Sequence, residues 1–165
     1  METFVGIKRL KEKQKEQLIK FESWAEENNW LAFHDAHYDW WMFPIDQPSR
    51  LGFAYTVQQD DVDKLKQDAE FMRNYLRGVE LLLLSWGWDL KNKCLILSPM
   101  ENQSWHNWPI RLSKCAQSLE LFNCSEALES VLTYGKYLLS IGTDFTFRKV
   151  DLSSRFLVNN PQDEN

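Results

Sequence analysis

The sequence predicts an all-α protein: a single compact domain of five to six helices around a central buried helix, with room for one short strand pair. Three observations carry this expectation. Apolar residues recur at helical spacing along most of the chain. The periodic segments are bounded by Asn, Asp, Pro and Gly where helices start and stop. The leucines at 81–84 make one segment apolar nearly all round, as in a helix covered on every side. A chain of 165 residues suits one domain and needs no disulfide or metal staple to fold. The domain is placed at residues 1–158, and 159–165 (NNPQDEN) read as a disordered tail.

The first helix is expected over residues 7–28. Ile7, Leu10, Leu18, Phe21 and Ala25 form its stripe, interrupted by Gln14 and Gln17. Asn28 and Asn29 end it and cap the next helix, which runs over 30–43 until Pro44 and Pro48 force an extended exit. Residues 51–57 (LGFAYTV) are β-prone and pair, on this reading, with 94–97 (CLIL). Asp60 or Asp61 caps a short acidic helix, and Asp68 caps the central helix that ends at Gly87. Gly78 lies in that helix at a cost of about 1 kcal/mol relative to Ala, which a close helix crossing would justify. Asn107 caps a fifth helix with Pro109 in its first turn. Its inner stripe is Trp108, Leu112, Cys115, Ala116, Leu119 and Phe122. Ser125 opens a sixth helix, faced by Leu128, Val131, Leu132 and Leu138 and stopped at Gly142. Phe145, Phe147, Val150, Phe156 and Leu157 predict that part of the following segment docks.

Composition narrows the function classes. The net charge is −5, which disfavours nucleic acid as a partner, because phosphate binding needs clustered Lys and Arg. Cys94, Cys115 and Cys124 are odd in number and form no CxxC pair; reduced thiols in the cytoplasm fit best. Two Asn-x-Ser triplets, at Asn102 and Asn123, read as chance. The N-terminal residues have no apolar signal core, and no apolar run is long enough for a transmembrane segment.

The stretch HDAHYDWWMFPID, residues 34–46, holds two histidines, three aspartates and adjacent tryptophans. On a continuous helix Trp30, His34, His37 and Trp41 share one side, while Asp35 and Asp39 point away. That favours histidines at the core edge over a metal site. The metal alternative takes His34, His37 and His106 as ligands, with Asp39 or Asp46 as base or further ligand, in a metal-dependent hydrolase. Glu80 is an acid–base candidate, with an ion pair to Arg77 the favoured reading and a second pair expected between Glu70 and Arg73. The basic residues of 8–20 offer a third alternative, a peripheral contact with a membrane or an acidic partner, against which a solvated helix is favoured.

Eight tryptophans are the most suggestive remaining feature. Six of them cluster as Trp40-Trp41, Trp86-Gly87-Trp88 and Trp105 with Trp108. If these converge they line an aromatic pocket for a planar ligand, a sugar face or a partner protein's apolar side chain. The favoured function is therefore a non-enzymatic binding or protein-interaction module without a cofactor, its site made of Tyr38, Trp40, Trp41, Trp88 and Trp105.

Trp41-Met42-Phe43-Pro44, with Tyr38 three residues before, resembles the tryptophan–apolar–phenylalanine–proline signature of the opioid growth factor receptor conserved region. LRGVELLLLSWGWDL (76–90) is similar to that family's apolar helix, and WPIRLSKCAQSLELF (108–122) to its following helix with an arginine and a leucine-rich face. Order and spacing agree over about residues 30–140. The resemblance implies a helical domain. Named members of the family are associated with an opioid peptide and growth regulation, but it implies no ligand residue that maps onto this chain.

Overall fold

A computed structural model describes residues 3–157; the expected tail at 159–165 lies outside them. In chain order the helices are α1 (Ile7–Glu26), α2 (Trp30–Asp35), α3 (Asp39–Met42), α4 (Gln59–Lys66), α5 (Ala69–Ser85), α6 (Pro109–Leu121), α7 (Ser125–Ser140) and α8 (Ser154–Leu157). Two antiparallel hairpins are the only sheet structure among the described residues: β1 (Trp88–Asp89) with β2 (Cys94–Leu95), and β3 (Thr146–Phe147) with β4 (Val150–Asp151). The expected helical class is what the chain adopts.

The central helix is α5. Asp68 caps it by accepting from the Phe71 amide, and Gly87 follows it at φ +82°, a left-handed turn that glycine adopts without penalty. Phe71, Tyr75, Val79 and Leu81 to Leu83 are wholly buried, with α1, α4, α2 and α7 packed around them. Gly78 has the close neighbour its position predicts: a Cβ there would come 2.7 Å from Met42 Cε of α3. Gly135 plays the same part in α7, where a Cβ would overlap the ring of Phe156 from α8. That notch seats the C-terminal segment, whose Phe145 and Phe156 enter the core as expected.

Four local expectations are corrected. Residues 51–57 form turns with a single bridge between Ser49 and Gly52, and 94–95 pair with 88–89 instead; the tight reversal after Gly87 brings the nearer segment alongside first. The cap of α4 is Gln58, whose amide donates to Asp61 Oδ2 in a capping box, so Asp61 acts from inside the first turn. Asn107 does not cap α6 but takes a left-handed φ of 57° before Trp108 and Pro109. Gln14 and Gln17 do not break the α1 stripe: both are buried in it, and Gln14 donates to the Phe71 carbonyl.

The largest departure is the second helix. It stops at Asp35, Ala36 is extended (φ −82°, ψ 158°), and the chain re-enters a helix only at Asp39. The cause lies 72 residues further along the chain, in Arg111.

Candidate functional site: a cationic, aromatic-walled groove

Arg111 projects inward from α6 and is completely buried. Its Nε donates to Asp39 Oδ1 at 2.7 Å, Nη1 to the Phe33 carbonyl at 2.7 Å and to Tyr38 Oη at 2.9 Å, and Nη2 to the Ala36 carbonyl at 2.8 Å. Tyr38 Oη donates to the Phe33 carbonyl, and Trp108 Nε1 donates to the His34 carbonyl. A helix end leaves its last carbonyls without partners. Here one guanidinium, one phenol and one indole serve those of α2, and the positive charge sits where the helix dipole favours it. Asp39 begins α3, where a carboxylate is favoured for the same reason. The kink thus exchanges a continuous ladder of backbone bonds for a buried, well-satisfied ion pair. It also turns Asp39 inward, opposite to the face that an unbroken helix predicts.

The predicted site residues separate. Tyr38 is wholly buried under Arg111, whose guanidinium lies 4.4 Å from its ring centroid. Trp88 is buried against Tyr134 and donates from Nε1 to Ser130. Trp105 packs on Trp86 and Phe145 in that same region. Trp40 and Trp41 remain together, with centroids 5.9 Å apart, and are partly exposed. Trp41 is covered by Tyr55 and by Lys13, whose Nζ stands 4.0 Å over its ring. The five do not converge on one pocket; Trp40 alone of them lines the groove described below.

The histidines also divide. His34 and His106 stack face to face, centroids 3.9 Å apart. His34 Nε2 donates to the Asn102 carbonyl at 2.7 Å, which leaves Nδ1 unprotonated, and burial pulls its pKa down to about 4. His106 bonds the Ser104 carbonyl through Nδ1. His37 is exposed and packs between Trp40 and Trp108 instead. Among the described residues no three His, Cys, Asp or Glu side chains gather closely enough to hold a metal ion. Glu80 is held by Arg77 at 2.5 Å, and that arginine also binds Glu22; Glu70 pairs with Lys15 rather than Arg73. Lys11 pairs with Asp68 and Arg9 with Glu12, so much of the basic face of α1 is engaged within the protein.

On the outer side of the kink lies a groove of about 630 Å³. Its walls are α3 with the loop that follows, the outer face of α6, and the turn of the β3–β4 hairpin. Trp40, Trp108 and Phe147 supply aromatic surface, and Ile45, Pro48, Ile110 and Leu152 supply aliphatic surface. Lys114, Arg50, Arg148 and Arg155 supply positive charge. Arg155 is paired with Glu120, but the other three have no carboxylate partner among the described residues. Lys114 lies 5.6 Å over the Trp40 ring and Arg148 5.2 Å over Phe147. Burial lowers the Lys114 pKa, with Arg111 adding to the effect and Asp39 opposing it. Arg148 and Lys149 both adopt positive φ, 49° and 68°, in a two-residue turn where Asn-Gly is the usual choice. Among the described residues the one acid on the wall, Asp39, is bound to Arg111.

Arg111, Lys114, Arg50 and Arg148 were not among the candidates. One signal was present: Arg111 stands at helical spacing from Trp108 and Cys115, a charge inside an apolar stripe. Arg50 and Arg148 carry no such mark, because only the folded chain brings their loops together.

The fold and the groove define a helical, aromatic-rich domain with a cationic trough; among the described residues no helix is long and apolar enough to cross a membrane. No family model, curated protein or solved structure matches the chain.

Proposed function

We propose that this protein is a non-enzymatic binding module and that the groove beside Trp40 and Trp108 is its ligand site. The observation that carries this reading is the wall itself. Three aromatic rings and four cations border a cavity whose volume falls in the range of about 300–1,000 Å³ usual for ligand sites. The buried Arg111 anchors two residues of the wall, bonding Asp39 and lying 4.5 Å from the Trp108 ring centroid, and Trp40 follows Asp39 in α3. The pocket proposed from sequence therefore keeps Trp40 and exchanges the other four residues for Trp108 and Phe147.

The test is an amide and indole NMR titration against a library of ring-containing fragments. The Trp40 and Trp108 indole signals are assigned by Trp40→Phe and Trp108→Phe variants. Fragments that shift these two signals while leaving Trp86 and Trp88 in place support the groove. Shifts scattered over all tryptophans, or none, would remove it.

The metal-hydrolase alternative keeps two histidines in contact, but His37 stands apart from them. Stoichiometric metal in untagged protein would revive it. Peripheral membrane contact through α1 is weakened by the ion pairs on that helix. Kinship with the opioid growth factor receptor conserved region remains a proposal; the arginine of its third motif is the residue that shapes this kink.

A further inference from the structure

The geometry points to an acidic peptide segment, bearing apolar side chains, as the occupant of the groove: its carboxylates meet Lys114, Arg50 and Arg148 while its apolar groups lie on Ile45, Pro48, Ile110 and Trp40. This rests on the groove being the ligand site.

Charge carries the first part. The chain has 24 acidic and 19 basic side chains, so acids are in excess. Among the described residues, some cations outside the groove hold acids, as Arg77 does Glu22 and Glu80, Lys93 does Glu126 and Glu129, and Lys15 does Glu70, while others such as Lys13 and Arg73 do not; what sets the groove apart is that three unpaired cations border one apolar-walled cavity. In the groove, Lys114 and Arg148 lie over aromatic rings instead, and Arg50 has no ion-pair partner among the described residues. A cation over an indole or phenyl face is not consumed by an ion pair there, so its N–H donors remain available to a third group. A carboxylate entering the groove meets those donors already desolvated on one side. The backbone supports the same end. Arg148 and Lys149 are held in left-handed turn positions that glycine and asparagine fill more easily.

Shape carries the second part. Small-molecule sites enclose most of their ligand. Here Gln47, Pro48, Arg50 and Arg148 on the rim are all exposed, so the trough is open along one side. An open trough with apolar and cationic surface interspersed suits an extended chain, whose successive side chains point to alternate sides.

The experiment selects from a phage-displayed library of random peptides on the full chain. The tightest peptide is then measured by fluorescence anisotropy against three proteins: the parent, the Lys114→Gln/Arg148→Gln variant and, as a control on α1, Lys20→Gln. Enriched peptides are expected to combine Asp or Glu with apolar residues. Affinity should fall roughly tenfold or more in the double variant, fall with added salt, and stay unchanged in Lys20→Gln. Arg50→Gln, a loop substitution, repeats the measurement should the double variant melt early. Enrichment of neutral peptides that still need Trp40 would overturn the acidic class and leave the groove standing. Enrichment of no peptide that depends on Trp40 would overturn both. Binding of ATP or inorganic phosphate at the groove, with no acidic peptide enriched, would replace the peptide by a small anion and overturn the proposal.

Discussion

Replacing Arg111 by Met tests the physical core of the structure. Methionine is long, unbranched and a good helix former, so α6 itself should persist. What disappears is the cation beside Asp39 and the donors serving the Phe33 and Ala36 carbonyls. Removing one partner of a buried ion pair costs about 3–5 kcal/mol, because the remaining charge stays buried and uncompensated. A domain of this length loses roughly 2–4 °C of midpoint per kcal/mol, so the melting temperature should fall by roughly 6–20 °C. The second half of the test is Arg111→Met/Asp39→Asn. Neutralising the orphaned carboxylate should return part of the loss, so the double variant is more stable than the summed single effects predict. Thermal and urea melts followed by circular dichroism measure both. A single variant within about 1 kcal/mol of the parent, or strict additivity in the cycle, would refute the claim that this pair holds the kink.

Three further outcomes are expected. His34 binds its proton less readily in the folded protein (pKa about 4) than in the unfolded chain (about 6.5), so its neutral form contributes stability above pH 6.5 that is lost as pH falls towards 4; the stability difference between parent and His34→Gln should therefore shrink across that window in urea melts. Gly135→Ala should lower stability by about 1–2 kcal/mol despite better helix propensity, because the new methyl meets Phe156; calorimetry showing a rise would contradict the close approach. Lys149→Gly should raise stability by about 1 kcal/mol by relieving a left-handed backbone, read as a higher melting temperature.

The order and kind of the long helices were legible in the sequence because each is specified locally. The apolar stripe of α5, the Asp68 cap and the Gly87 stop lie within a few residues of what they control. Gly78 and the docking of Phe145 and Phe156 were legible for a similar reason: a mid-helix glycine and a cluster of phenylalanines each imply a neighbour without naming it. The site was much less legible. Periodicity carried a helix straight through residues 36–38, since nothing nearby opposes it; Ala36 and His37 are neither proline nor glycine.

By itself the sequence determined a helical chain with a leucine-rich centre and an aromatic excess that had to be buried. Tertiary structure alone decided where α2 breaks, that Asp39 faces inward, and that Arg50, Lys114 and Arg148 border one groove. The reason is range: helical winding and capping act over a few residues, whereas a buried guanidinium draws carbonyls and a carboxylate from whatever part of the chain the core brings to it.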